Sequence, residues 1–576
     1  MFRVTFIREK KSIDVEAGTT VLEAQIQAGL TPDAPCGGAG TCGKCLVRID
    51  GKSVQACQTK VESDIAVDTM AEKTKHEILT KGFCRSVPFA PGLEIHKIHM
   101  EKPLPGEKCS EWERLLEQLW VAGGPKPLAV KPDLVLAAGL YEKRKETPDW
   151  YVIHTDEEIL ELRQTPGRCC FAAFDIGTTT VAGYLLDAKS AEVLSVDSRM
   201  NPQAQYGADV IMRANYVMEH GGEALSSCIR ATIREMLEHL AKKANVELTD
   251  IFQVSIAGNT CMHHLFLGIS PASLVYAPYT PAIREGLTLR AAEYDIKIHP
   301  RGQLLMLPNI AGYVGADTCG CLLAVRPDLK EEVTLILDIG TNGEMVLGNK
   351  EHLAACSTAA GPALEGAKIE CGMRGASGAV DHVSFENGEF HYHTIDDLPA
   401  QGICGSGLID LVAALLRAGR IDEYGKLSTG QEQEHIFYLV PPEKSGNGKG
   451  VYLTQKDIRE VQLAKAAIAA GMQLLMKRLS IAEKEIAEVY IAGAFGNYMD
   501  AESAGRIGLL PPGLIDRVKP IGNAAGEGAK IALISKEERR YADELVKRID
   551  FVELAASPEF QDCFVDELGF VEEVSE

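Results

Sequence analysis

The chain has 576 residues, 46% of them hydrophobic and 24% charged, so it is neither disordered nor fibrous and is too long for one hydrophobic core. Its 59 Lys and Arg residues against 81 Asp and Glu residues give a net charge of −22, which argues against nucleic acid and anionic lipid as partners. No apolar run is long enough to span a bilayer, and the first residues lack the apolar core of a signal peptide, so we expect a soluble cytoplasmic protein.

The first expected domain, residues 1–83, carries cysteines that suit an iron–sulfur cluster. Alternating apolar positions at 2–7 and 11–16 predict a hairpin, a short helix begins after Gly18, and further strands follow. This order of elements resembles a β-grasp ferredoxin. Three cysteines close together and a fourth after a hairpin favour two irons over four. The expected ligands of the [2Fe–2S] cluster are Cys36, Cys42, Cys45 and Cys57.

The fourth ligand requires a choice, because Cys57 and Cys84 both follow the glycine-rich loop. A tight turn at Asp50-Gly51 folds Cys57 back toward Cys45 with little loss of loop entropy. The sequence around Cys57 also resembles the fourth-ligand segment of ferredoxin-like domains. We therefore assign Cys57 to the cluster and expect Cys84 to be a structural thiol.

A connector and a small domain are expected next. Residues 84–110 contain four prolines and no sustained apolar period, which predicts a semi-stiff connector that lets the cluster domain reach a partner. Helical spacing over 111–121 and a strand at 150–153 then predict a small middle domain over 111–167. We find no chemistry in that domain.

The remaining residues, 168–576, contain one strand–loop–strand pattern twice. The first copy places a strand before Asp175 and three hydroxyls after it, and the second places a strand before Asp338. Hydroxyls and backbone N–H groups can hold phosphate while a carboxylate faces hydrated Mg²⁺. The repeat predicts two similar lobes, about 168–330 and 331–576, with one nucleotide in the cleft between them. The expected phosphate-binding residues are Gly177, Thr178, Thr179, Thr180, Gly340, Thr341, Asn342 and Gly343.

Two later glycine segments predict the adenosine half of the same site. One opens an apolar helix and the other follows a buried strand, and glycine lets the backbone lie flat against a base and a ribose. Either segment alone is typical of an ordinary helix start or turn. Beside the phosphate loops, we expect both to bind the nucleotide, through Gly405, Ser406, Gly407, Gly493 and Gly496.

These motifs resemble a known superfamily. The segments from Asp175 to Thr180 and from Asp338 to Glu344 resemble the two phosphate motifs of the actin, sugar-kinase and Hsp70 ATPases, and the segment from Gly493 resembles their adenosine motif. Behind a ferredoxin domain, such an ATPase is similar to the reductive activators of corrinoid proteins, over nearly the full length. The resemblance implies an α/β multidomain fold: a β-grasp [2Fe–2S] domain, a linker with a small middle domain, and a two-lobed, actin-like (ribonuclease H-like) ATPase domain.

The same resemblance implies a function. ATP would drive transfer of one electron from a reduced ferredoxin or flavodoxin, through the cluster, to the Co(II) corrinoid of a methyltransferase system, restoring Co(I). Asp338 would orient water or bind Mg²⁺, with Glu344 as a second candidate, and Asp175 would hold Mg²⁺. Whether the protein forms a homodimer stays open.

Three other functions are also compatible with these motifs. The chain could donate electrons to another low-potential enzyme, as the activators of 2-hydroxyacyl-CoA dehydratases do, although those resemble only the ATPase part. It could be a small-molecule kinase with a redox-sensing appendage. It could also be a redox sensor that binds a partner without ATP turnover.

Overall fold

The computed structural model describes the whole chain except residues 31, 33, 35–37, 39, 41–44, 70–81, 84, 367, 429–434, 556 and 571–576. The N-terminal domain is a five-stranded sheet in the order β2-β1-β5-β3-β4, in which β5 runs parallel to β1. A reciprocal cap between Thr20 and Glu23 starts its helix. Its elements are β1 (Phe2–Phe6), β2 (Lys11–Val15), α1 (Val21–Gln27), β3 (Leu46–Ile49), β4 (Lys52–Gln55) and β5 (Ile65–Asp68).

The small second domain packs two helices on a three-stranded antiparallel sheet in the order β6-β7-β8. Its apolar core includes Leu115, Leu119 and Trp150. One strand, β6, lies inside the segment 84–110, for which the sequence predicts a connector. The sequence gives no strand signal there because the polar residues of β6 hide its apolar alternation. The elements are β6 (Glu94–His99), α2 (Glu111–Val121), α3 (Leu134–Glu146), β7 (Asp149–His154) and β8 (Ile159–Arg163).

The remaining connector lies against the C-terminal domain instead of spanning free space. Five contacts hold it there: a bridge between Gly82 and Gly522, Phe83 N to Ile521 O at 2.8 Å, Arg85 Nε to Leu323 O at 2.8 Å, Arg85 to Glu538 at 2.6 Å, and Ala90 N to Ile534 O at 2.9 Å. Backbone bonds of this kind fix the segment in place. The described residues Gly82, Phe83, Arg85 and Ala90 are therefore held against the C-terminal domain.

The first lobe of the C-terminal domain is a six-stranded sheet in the order β11-β10-β9-β12-β14-β13. Three strands form an antiparallel meander, and β12 then joins β9 in parallel. Its elements are β9 (Cys170–Ile176), β10 (Thr180–Asp187), β11 (Val193–Met200), α4 (Val210–His220), α5 (Glu223–Ala244), β12 (Ile251–Gly258), α6 (Thr260–Leu267), β13 (Leu287–Arg290), β14 (Gln303–Met306) and α7 (Ala316–Val325).

The second lobe repeats this topology in the sheet β24-β23-β15-β16-β17-β25, where β15, β16 and β17 form the meander and β23 joins β15 in parallel. The internal repeat predicted from the two loops is thus confirmed. Its elements are β15 (Val333–Ile339), β16 (Gly343–Gly348), β17 (Leu353–Thr358), β18 (Ala379–Glu386), β19 (Glu389–Thr394), β20 (Gly402–Ile403), α8 (Gly405–Arg417), β21 (Ile436–Val440), β22 (Val451–Thr454), α9 (Gln455–Leu479), β23 (Ile486–Ala492), α10 (Gly493–Tyr498), α11 (Ala501–Arg506), β24 (Val518–Gly522), α12 (Ala524–Ile534), α13 (Lys536–Leu545), β25 (Ile549–Phe551) and α14 (Pro558–Asp566).

Two helices cross closely where the lobes meet. Helix α12 follows the last core strand of the second lobe and packs on α7 and on strands β9 and β12 of the first lobe. The crossing point is Gly320 against Gly528, where a Cβ on Gly528 would lie 2.2 Å from the Gly320 Cα. Only two glycines allow the backbones to approach so closely.

Candidate functional site

The two predicted aspartates end equivalent strands and face the cleft between the lobes. Asp175 lies near the end of β9, and Asp338 lies at the same place in β15, paired across the hairpin with Glu344. Gly493 follows β23 beside them, since a Cβ there would lie 3.0 Å from Asp338 Oδ1. Asn523, at the start of α12, donates from Nδ2 to Asp175 Oδ2 at 3.0 Å. The fold thus gathers residues from four distant stretches.

Carboxyl groups crowd this cleft. Burial raises the pKa of Asp175 to about 7, and the charge of Asp317 adds to the shift. Burial, followed by the charges of Asp317 and Asp175, raises the pKa of Asp338 to about 7. Burial likewise raises the pKa of Asp317 to about 6, and burial and the neighbouring carboxylates hold the pKa of Glu344 well above its usual range. Four buried carboxyl groups this close together can all be ionised only if a cation lies beside them. Carboxylate oxygens are the ligands that Mg²⁺ prefers.

This electrostatic crowding predicts a cation-dependent stability. A carboxyl with a raised pKa favours folding while protonated, so its contribution is present below the unfolded value of 3.8 and is lost as pH rises through about 7. We therefore expect melting curves without divalent cations to show a midpoint that falls by several degrees between pH 5 and pH 8. Mg²⁺ should restore most of that loss at pH 8, because it binds the ionised form. A midpoint at pH 8 that Mg²⁺ leaves unchanged would contradict a cation site here.

The two predicted phosphate loops converge on one carboxylate. Thr179 of the first loop donates its hydroxyl to Glu365 Oε2 at 3.1 Å, and Thr341 of the second loop donates to Glu365 Oε1 at 3.2 Å. Hydroxyls that both reach one carboxylate are close enough to reach one phosphate group. Behind the first loop, Asn259 Nδ2 donates to the Thr178 hydroxyl at 2.9 Å, and Arg213 donates to the Thr178 carbonyl at 2.6 Å. The structure therefore holds the first loop in place with polar contacts.

The convergence of these hydroxyls gives a direct prediction for Thr341. Replacing it with Val keeps the shape and removes the hydroxyl, so we expect ATP to bind about 10-fold to 100-fold more weakly, the effect of losing one hydrogen bond to a charged group. Thr341→Ser should restore most of the affinity. Isothermal titration with ATP and Mg²⁺ measures both variants, and equal affinities for Val and Ser would exclude a role for the hydroxyl.

The other predicted nucleotide residues have local packing partners. Ser406 donates its hydroxyl to the Asp381 carbonyl at 2.8 Å, and a Cβ on Gly407 would lie 2.2 Å from the Val380 carbonyl. Gly496 lies against Ile491 in the same way. Tight packing alone therefore explains glycine at two of these positions. Their contact with adenosine stays a prediction, as does that of Gly405 at the start of α8.

The predicted cluster site is described in part. Cys45 and Cys57 are both buried at the base of the β3–β4 hairpin, where Ala56 N donates to Cys45 O at 2.7 Å. Gln58 Nε2 donates to Cys57 Sγ at 3.7 Å, a contact typical of cluster cysteines. Gly38, which has a positive φ of 93°, places its backbone beside Cys57. The hairpin brings the backbone next to Cys57 against Cys45, and the assignment of both as cluster ligands stays a prediction; Cys36, Cys42 and Cys84 lie outside the described residues.

Four residues of the cleft are not among the site residues predicted from the sequence. Asp317 begins α7, Glu365 follows β17, and Asn523 begins α12, while Cys321 Sγ lies 3.9 Å from Asp338 Oδ2. Asp317 follows Ala316 and Glu365 follows Leu364, so neither has the strand-then-glycine pattern that marks Asp175 and Asp338. Asn523 reaches Asp175 across 348 residues, and only the fold shows that contact.

Known families match three successive stretches of the chain. Residues 4–80 match the 2Fe–2S iron–sulfur cluster binding domain, 171–330 match the RACo middle region, and 332–576 match the C-terminal domain of RACo, the ASKHA domain. The chain is 34% identical to the corrinoid activation enzyme RamQ of Eubacterium limosum, over 98% of each chain. It is 26% identical to the [Co(II) methylated amine-specific corrinoid protein] reductase of Methanosarcina barkeri, over 69% of this chain and 76% of that one.

A solved structure is similar over the full length. The reductive activator for corrinoid, iron–sulfur protein is 33% identical, covers 99% of this chain and 98% of its own, and superposes with a TM-score of 0.76. Within the part of the chain that the structure describes, no helix combines the length and the apolar character needed to cross a membrane.

Proposed function

Since this chain belongs to the RACo family of reductive activators of corrinoid proteins, we propose that it reduces the Co(II) form of a corrinoid protein to Co(I) at the expense of ATP. One observation carries the proposal: the full-length similarity to a corrinoid activation enzyme, which joins the 2Fe–2S domain and the ASKHA ATPase domain in one chain. A kinase would not need the first domain, and a simple electron carrier would not need the second.

The cysteine site fits a [2Fe–2S] cluster, since Cys45 and Cys57 are buried at the base of one hairpin and an amide donates to the Cys57 thiol. Such a cluster supplies one electron at a time, near about −400 mV in plant-type ferredoxins. The residues Cys36, Cys42, Cys45 and Cys57 would hold it. The burial of Cys45 and Cys57 excludes bulk water from that side of the site.

ATP is needed because the cobalt is harder to reduce than the donor. For one electron, about 59 mV changes the equilibrium tenfold. Binding of the activator can shift this redox equilibrium only by the difference between its affinities for the two states of the corrinoid protein. We propose that closure of the two lobes on ATP favours a state of the partner in which Co(II) accepts the electron.

The cleft has the groups for this task. Bound Mg²⁺ supplies positive charge that the crowded carboxylates and a nucleotide phosphate can share. Asp175 and Asp338 would hold the cation together with Asp317, whose charge acts on both. Glu344 is the second candidate for orienting water. The hydroxyls of Thr178–Thr180 and the loop Thr341–Gly343 would bind the phosphates.

Partners follow from this role. We propose that the electron acceptor is the corrinoid protein of a methyltransferase system; the relative from Methanosarcina barkeri is named for a methylated amine-specific one. We propose a reduced ferredoxin or flavodoxin as donor, and the cytoplasm, where such donors occur, as the place of reaction.

An anaerobic assay tests the proposal. Cluster-loaded protein, a chemical reductant and a Co(II) corrinoid protein are mixed with or without Mg²⁺ and ATP, and Co(I) absorbance is followed. We expect ATP to increase Co(I) formation strongly, and a non-hydrolysable analogue to show whether binding suffices. Equal Co(I) yields with and without ATP, across corrinoid proteins from several methyltransferase systems, would overturn it.

A further inference from the structure

A cavity lies between the small domain, the first lobe and α13. Its volume is about 250 Å³, which is room for a small organic ligand and not just for one water. Backbone and polar side chains from all three parts line it. The ones that decide its chemistry are Gly92, Asp156, Glu158, Gln253, Gln303 and Arg539.

A chain of hydrogen bonds leaves one buried acceptor open in this cavity. Arg290 donates to Glu158 Oε2 at 2.6 Å, so Glu158 is a carboxylate that can only accept. Gln303 must therefore turn its NH₂ to Glu158, at 3.3 Å, and its oxygen to the NH₂ of Gln253, at 2.9 Å. Gln253 is 1% exposed, and its Oε1 has no hydrogen-bond partner in the described part of the chain. A buried acceptor of this kind requires a donor.

One basic side chain of the cavity, Arg539, is available to the anionic group of a ligand. Lys536 and Arg540 both pair with Asp156, at 3.0 and 2.9 Å. Arg539 donates to the Ala532 carbonyl at 3.1 Å and forms no ion pair with the residues described. Arg539 is half-buried, and a guanidinium in that position without a carboxylate favours a ligand that supplies one.

We propose that this cavity binds a small amino acid as its zwitterion, with the carboxylate on Arg539 and the ammonium on Gln253 Oε1. The wall charges support a ligand of both signs. Four acidic residues, Asp156, Glu157, Glu158 and Asp543, line the cavity with three basic ones, and Arg290 pairs with Glu158, so acids and bases balance and a ligand without net charge suits the site. The ammonium group supplies the missing donor. This site is independent of the nucleotide cleft and of the proposed function.

A thermal-shift screen of the full-length, cluster-loaded protein tests the proposal. The twenty amino acids are added singly at millimolar concentration, and acetate and methylammonium serve as ligands that carry only one of the two groups. We expect at least one amino acid to raise the melting midpoint and neither single-group ligand to do so. No shift with any amino acid, or an equal shift with acetate, would overturn the proposal.

Matched variants identify the site of any binding. Arg539→Gln and Gln253→Met should each weaken binding more than tenfold in calorimetry, since each removes a bond to a charged group. Gly92→Ala should do the same from the opposite wall, because its Cβ would lie 2.8 Å from Arg539 Nη2 and displace the guanidinium. Arg478→Gln, an exposed arginine paired with Asp550, is the control and should bind normally. Folded Arg539→Gln and Gln253→Met proteins that bind with full affinity would overturn the assignment.

Discussion

Cys57→Ser is expected to abolish electron delivery to the corrinoid protein while ATP still binds. Cys57 is buried beside Cys45, at the base of a short hairpin, and serine is a poor ligand for iron in place of a thiolate. The cluster absorbance and the iron content should fall to near zero, and Co(I) formation should fall with them. Titration with ATP should give the wild-type affinity, because the nucleotide cleft belongs to another domain.

Two companion variants make this result specific. Cys84→Ser should retain the cluster, since Cys84 is assigned a structural role. Cys109→Ser, which replaces a partly exposed thiol in the small domain, controls for cysteine loss in general. A cluster that survives Cys57→Ser but disappears in Cys84→Ser would show that the fourth ligand was chosen wrongly.

Asp338→Asn should have the opposite pattern, with an intact cluster and no ATP-dependent activation. Removing a residue that only hydrogen-bonds to a metal ligand lowers metal affinity or activity about 10-fold to 100-fold, and removing the ligand itself should lower it more. We therefore expect ATP-dependent Co(I) formation to fall at least about 100-fold. The change also removes one acid from a crowded cleft. The melting midpoint without Mg²⁺ should therefore rise at pH 8, where the wild-type carboxylates repel each other.

The comparison with Glu344→Gln ranks the two candidate residues. If Glu344 orients water, its variant should keep the affinity for ATP and lose hydrolysis, whereas Asp338→Asn should lose Mg²⁺-dependent ATP binding as well. Glu351→Gln, on an exposed turn, is the control for loss of charge. ATP-dependent activation that persists in Asp338→Asn would exclude the role proposed for this carboxylate.

Local patterns were enough to predict the two-lobed fold and the placement of the loops. Each loop follows a strand of continuous apolar residues, so both the strand and its end at Asp175 or Asp338 are visible in a few residues of sequence. Strand β6 was missed because three of its six residues are His or Lys, which weakens the alternation. Its partner β7 lies about 50 residues later, and that pairing is what makes the segment a strand.

The rest of the cleft depends on contacts between distant parts of the chain. Glu365 gains its importance only because Thr179 and Thr341 both reach it. Asp317 acts through its charge on the two predicted aspartates, which spacing cannot show. Such residues have ordinary sequence surroundings, since tertiary structure creates their environment.

The connector and the carboxyl-lined cleft share one contact residue, Asn523. Asn523 donates to Asp175 in the nucleotide cleft, and a Cβ on Gly82 would lie 2.5 Å from the Asn523 carbonyl oxygen. The chain at Gly82 is thus separated from Asp175, a predicted site residue, by Asn523 alone. Any displacement of Asn523 would therefore act on the Asp175 carboxyl and on the backbone at Gly82 together.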